Sequence, residues 1–273
     1  MMAIDLQAKA KQLVKTRCEA GIGRAIADSF IIGQRNLIRL SRQPAVITGV
    51  LVFPIVFLTA FLLAFERSMA TQNIDYIQYL VPIITLQAMF FTAMNSASNL
   101  AGDIDTGMLQ RCRAMPISRA AVLGGLLIAY LVRAIVTLAI LLPVAYLYGF
   151  RFQSGVFSVI GYILLTLFFT TVAVTGYALL ALGLKKPDLV QSLVIVPYAP
   201  FLLLSSGFSP AENFPNWLQP FVVTQPVSHI AAALRALADG DPLLIPLLWS
   251  VAWLTVLLGG FGWTAIWLYR RIS

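Results

Sequence analysis

The sequence predicts an all-α polytopic membrane protein with six transmembrane helices. To these it adds an N-terminal interfacial helix, a short helix in a cytoplasmic loop and an outer re-entrant helical hairpin. Composition, six long apolar runs and the placement of basic residues carry this reading. Of 273 residues, 59% are hydrophobic and 11% charged, whereas soluble domains carry about 25% charged residues. Mean hydropathy is +0.86. Two cysteines cannot staple a secreted scaffold of this size, and the apolar content excludes intrinsic disorder.

Residues 1–44 read as a cytoplasmic and interfacial segment. They lack the short apolar stretch and small-residue cleavage site of a signal peptide. Within them, 24–42 predicts an amphipathic helix. At about 100° per residue, Asp28, Arg35, Arg39 and Arg42 fall on one side, and Ile26, Phe30, Leu37 and Leu40 on the other. Such a helix lies along the membrane surface, either as a simple anchor or in a coupling role.

Crossing about 30 Å of hydrocarbon takes roughly 20 apolar residues in a helix, whose backbone groups pair internally. Six runs qualify: 45–65, 80–101, 120–150, 152–184, 189–208 and 242–269. The first follows Pro44 and contains Pro54. In the second, Asn95 and Asn99 lie one turn apart on one face, suited to interhelical hydrogen bonds or to a polar path. The third and fourth exceed a perpendicular span and predict tilt. The third holds Arg133, the sole charge in the six runs. It sits too deep to snorkel easily and would attract an anionic head group or partner carbonyls. Pro197 and Pro200 interrupt the fifth, and the sixth ends at Arg270-Arg271.

An even number of spans puts both termini on one side. Fifteen of the 19 basic residues then share that side. Arg67, Arg151 and Arg235 face the other, and the acidic residues are spread almost evenly. Both termini are therefore expected in the cytoplasm. The net charge of +8 reads as topology rather than as a nucleic-acid footprint. Cys18 and Cys112 fall on the cytoplasmic side and are expected reduced and unpaired. No solenoid repeat or match between the two halves is visible.

The chain carries one histidine, His229, and no acid inside the runs. A proton-coupled carrier needs an ionisable relay in the membrane, and Arg133 cannot give up its proton. No metal set is expected, and neither a GxSxG elbow nor a phosphate loop is present. Any nucleotide must be bound by another chain.

Two further segments carry information. In 102–119, Asp105 or Thr106 is expected to cap a short helix that Pro116 ends, and Ser118 to cap the next run. Met108, Leu109, Cys112 and Met115 would form its apolar side beside Arg111 and Arg113. That suits a docking surface, the other reading being a solvated loop turned by Pro116. Segment 209–241 is too apolar for a free loop, and Pro210, Pro215, Pro220 and Pro226 break it. Trp217 and Phe221 belong at an interface. Ser228 is expected to cap a helix running to about Ala238, with Gly240 just past its end. Two short helices dipping into the outer leaflet fit this pattern, as does a cap lying on the surface.

The stretch Gly107-Met-Leu-Gln-Arg-Cys-Arg-Ala-Met-Pro-Ile-Ser-Arg119, followed by Leu123-Gly124, resembles the cytoplasmic loop of ABC-2 type exporter permeases. Asn213-Phe-Pro-Asn-Trp-Leu-Gln-Pro-Phe-Val-Val-Thr-Gln-Pro-Val-Ser-His-Ile-Ala-Ala-Ala-Leu-Arg-Ala-Leu237 resembles the daunorubicin-resistance permease subfamily. Many such permeases have a Glu-Arg-Glu type stretch ahead of the glycine. Here Asp103-Ile-Asp105 keeps the acids and lacks the arginine.

The resemblance implies a type V exporter-like fold and the permease subunit of an ATP-driven exporter. Such an exporter moves an amphipathic drug or a complex lipid or glycolipid out across the bacterial cytoplasmic membrane. It implies a second permease, a copy or a paralogue, and two copies of an ABC ATPase subunit that bind ATP and Mg. This chain would hold no cofactor and be no enzyme. Asp103, Asp105, Gly107, Met108, Leu109, Arg111, Arg113, Met115 and Pro116 would form the coupling helix against the ATPase. Phe30, Arg35, Arg39 and Arg42 would belong to the connecting helix. Pro215, Trp217, Pro220, Phe221, Pro226, His229 and Arg235 would form the outer gate, and Asn95, Asn99 and Arg133 would line the substrate path among membrane lipids. An ion-coupled secondary carrier, a non-transporting assembly subunit and, last, a membrane enzyme are the alternatives.

Overall fold

A computed structural model describes residues 22–42, 44–70, 75–108 and 119–271. Among the described residues the secondary structure is entirely helical. The amphipathic segment forms α1 (Ile22–Ser41), followed by α2 (Pro44–Ala70), α3 (Tyr76–Asp105), α4 (Arg119–Leu147) and α5 (Val156–Leu184). Two short helices follow, α6 (Pro187–Leu193) and α7 (Ile195–Leu203). A 3-10 turn (Ala211–Asn213) then leads to α8 (Gln219–Thr224), α9 (Pro226–Asp239) and α10 (Leu244–Arg271).

Four described helices are long and apolar enough to cross a membrane: Tyr76–Asp105, Val122–Leu147, Val156–Leu184 and Leu244–Ala265. Val52–Phe65 and Pro187–Leu203 are shorter apolar stretches. Helix α3 is the hub, packed by α2, α4, α5 and α9. Leu80, Ile83, Ile84, Leu86 and Met89 are wholly enclosed. Its buried hydroxyls find partners without leaving the helix. Thr85 Oγ1 donates to the Val81 carbonyl at 2.9 Å and meets Tyr162 Oη at 2.9 Å. Thr92 Oγ1 reaches the Ala88 carbonyl at 3.0 Å. A helix buried all round tolerates polar residues only on such terms. At the opposite extreme, α10 exposes Leu244, Ile245, Leu248, Val256 and Trp263, as a helix facing lipid does.

Three expectations are corrected. The second run does not stop at residue 101, because the helix continues through Gly102 and α3 runs on to Asp105. Asp103 and Asp105 thus belong to its last turn. Thr106 closes this helix, its N–H reaching the Gly102 carbonyl at 3.0 Å and its Oγ1 the same oxygen at 2.9 Å. Gly107, at φ +68°, turns the chain away. Second, 189–208 is not one helix. Pro197 and Pro200 have no N–H for the carbonyls one turn earlier, and the helix is divided at Val194. Third, Ser228 does not cap α9. Pro226, whose ring presets the helical φ, starts it, and Ser228 Oγ instead accepts the Ser206 N–H at 3.1 Å. Gly240 does end α9 as expected, at φ +84° with its N–H on the Ala236 carbonyl.

Lys185, at the end of α5, is the only described non-glycine residue with positive φ, +59°. A side chain there costs about 1 kcal/mol relative to glycine. Lys185→Gly is therefore expected to raise the thermal unfolding midpoint of the purified protein in detergent. An unchanged or lower midpoint would contradict that strain.

Candidate functional site

Helix α1 lies on α4 at very close range. A Cβ added to Gly125 would stand 2.6 Å from Ile32 Cγ2 and 3.0 Å from the Gly33 nitrogen. One added to Gly124 would stand 2.5 Å from Ser29 Oγ. Small residues permit this approach of two backbones, and it fixes where the polar side of α1 points. That side meets the end of α3. Arg35 Nη2 donates to Asp103 Oδ2 at 3.1 Å, and Arg39 Nη1 to Asp103 Oδ1 at 2.6 Å. Each carboxylate oxygen receives one guanidinium, and the Asp103 side chain is 18% exposed. Thr106 and Met108 complete a polar recess with these three side chains.

Four residues expected from the sequence (Arg35, Arg39, Asp103 and Met108) are thus brought together. Asp105 is exposed two residues on, and Gly107 forms the turn. Phe30 is exposed on α1, with its neighbour Ile31 as an apolar face, and Arg42 is exposed just past the end of α1. Leu109, Arg111, Arg113, Met115 and Pro116 lie outside the described residues, as do both cysteines.

Deeper along the same helices, Asn99 Nδ2 donates to Tyr130 Oη at 2.5 Å, and Tyr130 Oη donates to the Asn95 carbonyl at 3.2 Å. Asn95 Nδ2 binds its own helix at the Phe91 carbonyl. The Asn99 side chain therefore serves helix packing, with Tyr130 as the bridge between α3 and α4, while the Asn95 amide stays on its own helix. One turn beyond Tyr130, Arg133 places its guanidinium carbon 5.8 Å from the Tyr130 ring centre. Arg133 Nη1 and Nη2 are buried with no hydrogen-bond partner. Tyr130 was missed from the sequence, though its spacing from Arg133 puts both on one helix face.

At the other end of α3, Arg235 holds three segments together. Its Nε donates to the Tyr79 carbonyl at 3.2 Å, and its Nη2 to the Ser206 and Gly207 carbonyls at 2.9 and 2.8 Å. Its guanidinium carbon sits 3.5 Å from the Tyr79 ring centre. Gln78 adds a second clasp. It donates to the Arg151 carbonyl at 2.7 Å and to Asp239 Oδ1 at 3.1 Å, and accepts the Arg151 N–H at 3.1 Å. Burial, with Asp241 nearby, pushes the Asp239 carboxyl above its usual range.

His229 stacks on Trp249 with ring centres 5.8 Å apart. Trp217 and Phe221 are exposed. Pro215 accepts the Leu218 N–H at 2.8 Å, while Pro220 and Pro226 open α8 and α9. Gln78, Tyr79 and Asp239 were not singled out from the sequence.

Comparison with known proteins is consistent along most of the chain. The profile of the ABC-2 type transporter family matches residues 28–238. The daunorubicin resistance ABC transporter permease protein DrrB1 of Streptomyces coeruleorubidus is 29% identical over 206 residues, 76% of this chain and 73% of the relative. The probable doxorubicin resistance ABC transporter permease protein DrrC of Mycobacterium tuberculosis is 30% identical over 237 residues, 84% of this chain and 83% of the relative. The probable multidrug ABC transporter permease YbhR of Escherichia coli is 26% identical, covering 75% of this chain and 55% of its own.

Arg235 gives the sharpest stability test. Lysine keeps the charge but loses the fork that reaches three carbonyls at once. Arg235→Lys is expected to cost about 2 kcal/mol, read as a lower unfolding midpoint and faster proteolysis of 204–225. A variant as stable as the parent would show that the clasp is not structural.

Proposed function

The chain belongs to the ABC-2 type transporter family, and we propose that it is the permease subunit of an ATP-driven exporter. Its cargo is an amphipathic drug or a complex lipid, moved out across the bacterial cytoplasmic membrane. Helices α2, α3, α4, α5, the α6–α7 pair and α10 are its six spans, with both termini in the cytoplasm. The drug class comes from the names of the relatives, which refer to daunorubicin and doxorubicin resistance.

The observation that carries the reading is the grip of Arg35 and Arg39 on Asp103. It ties the surface helix to the base of the most deeply buried span, at the turn leading into the 107–119 loop. That loop is the docking element for an ABC ATPase subunit, one per permease. ATP and Mg are bound there and not by this chain. Two permeases, copies or paralogues, pair to form the transporter.

When ATP draws the two ATPase subunits together, each loop is displaced. Through Asp103 the displacement reaches α1 and α3 at once. Packed interfaces switch between discrete arrangements instead of deforming smoothly. ATP biases that switch only by binding one arrangement more tightly. Arg133 lies on the path of the cargo with free hydrogen-bonding capacity, whereas the Asn95 and Asn99 amides are already committed to Phe91 and Tyr130. The 209–241 hairpin closes the outer end and is held by Arg235. A proton-coupled carrier is disfavoured, since no carboxylate stands in the six runs to relay protons.

The test is reconstitution with the cognate ATPase in liposomes. Met108→Glu is expected to lower ATP-dependent export at least tenfold and to weaken co-purification of the ATPase, with membrane insertion unchanged. Normal export and normal co-purification would remove the loop from the coupling route.

A further inference from the structure

A cavity of about 920 Å³ forms a groove bounded by α5, α7 and α10 and closed at one end by the junction of α8 and α9. Its size lies within the range of small-molecule sites, roughly 300–1,000 Å³. We propose that this groove receives the apolar body of an amphipathic molecule and that Gln225 accepts a hydrogen bond from that molecule's hydroxyl, amide or ammonium group. The inference deepens the exporter reading and rests on its topology for the direction from which the molecule enters.

The position of Gln225 follows from helix geometry. Near the Val156 end of α5, a Cβ on Gly161 would stand 3.1 Å from Leu237 Cδ2 of α9. Helix α9 begins eleven residues before Leu237, at Pro226, which is about 16 Å away at 1.5 Å per residue. Gln225 therefore lies near the middle of α5, beside Phe169 and Val172. From there the groove continues along α5 as far as Gly183, close to that helix's end at Leu184. In the proposed topology that end is cytoplasmic. The groove thus fills the inner half of the membrane, and Gln225 forms its ceiling at the tip of the outer hairpin.

The chemistry of the wall selects the occupant. No Asp, Glu, Lys or Arg lines the groove. Each hydroxyl that does already donates its proton within the chain. Tyr177 Oη donates to the Val194 carbonyl at 3.0 Å, Thr224 Oγ1 to the Pro220 carbonyl at 2.7 Å and Thr264 Oγ1 to the Gly260 carbonyl at 2.7 Å. Gln225 differs. It is 4% exposed. Its Nε2 donates to the Leu204 carbonyl at 2.6 Å and to Ser228 Oγ at 3.3 Å. Its Oε1 has no partner and is closed off in this conformation, so a donor in the groove meets it only as the amide turns toward the groove.

A buried acceptor left unmatched costs about 1–3 kcal/mol, and native structures rarely carry one without a role. An O–H or N–H donor satisfies it. A carboxylate or phosphate does not, and it meets no counter-charge in this wall. An acyl chain alone fills the volume but leaves the oxygen unpaired.

The experiment uses the full chain in phosphatidylcholine nanodiscs, without ATPase or nucleotide. The probes are hexadecanol bearing a mid-chain diazirine and the methyl ether of the same compound. After photolysis, labelled residues are located by peptide mass spectrometry. The alcohol is expected to label α5 from Phe169 to Gly183 and the facing part of α10 about tenfold more than the ether, the worth of one hydrogen bond in a dry site. Gln225→Leu is expected to bring the alcohol down to the level of the ether, and Ala173→Trp, which fills the groove, to remove both.

Equal labelling by alcohol and ether in the unmodified chain overturns the proposal, and this comparison depends on no variant. So does undiminished labelling of Gln225→Leu. A disulfide between two copies of Ala173→Cys also overturns it, since it assigns the groove to a second permease. Failure of ATP-driven export leaves the labelling pattern standing, and failure of the labelling leaves ATP-driven export standing. The two readings are therefore separable.

Discussion

The carboxylate of Asp103 is the point on which the architecture turns. Two guanidiniums from one helix hold its two oxygens separately. As energy this is modest, because a partly exposed ion pair contributes about 1 kcal/mol or less. As geometry it is decisive. Gly33, Gly124 and Gly125 bring α1 against α4, which leaves Arg35 and Arg39 over the last turn of α3. Thr106 and the left-handed Gly107 follow immediately. Helix α1, the end of α3 and the turn at Gly107 thus meet at one residue.

The central span gives that junction its reach. Helix α3 has 30 residues, about 45 Å at 1.5 Å per residue, and neighbouring helices enclose most of it. It is fastened by side chains along its length: by Asp103 at one end, by Asn99 to Tyr130 of α4 inside, and by Gln78 and Tyr79 at the other. The last two meet Arg235 and Asp239 of α9, so the 209–241 segment is attached to the same rod. An element fastened at both ends is one physical route by which a displacement at one face is felt at the other. The hairpin tip carries Gln225, which places the groove wall at the far end of this chain of contacts.

Much of the helical frame was legible in the sequence, because apolar run length and the 3.6-residue period need no tertiary knowledge. Helix α1 and the glycine at the end of α9 were read correctly for that reason. The division at Val194 was implicit in Pro197 and Pro200, which read as interruptions without a stated consequence. Arg235 was read as a gate residue on the basic-poor side. Its partners are backbone carbonyls of 206 and 207 and the face of Tyr79, and no side-chain pattern advertises those. Asp103 was assigned to a loop because the apolar run stops at 101, whereas helix hydrogen bonding persists until a residue actively ends it. Gln225 was invisible for a similar reason. An unmatched acceptor exists only relative to what surrounds it.

The account turns on whether the Asp103 junction carries motion or merely stabilises a corner. The direct measurement is the number of cargo molecules exported per ATP hydrolysed, in proteoliposomes holding the permease and its ATPase. With Asp103→Arg, hydrolysis should continue while this ratio falls at least tenfold. Adding Arg35→Asp and Arg39→Asp, which restores the attraction with its sign reversed, should bring the ratio back to within about twofold of the parent. A parental ratio in the single variant, or no recovery in the reversed set, would contradict transmission through this contact.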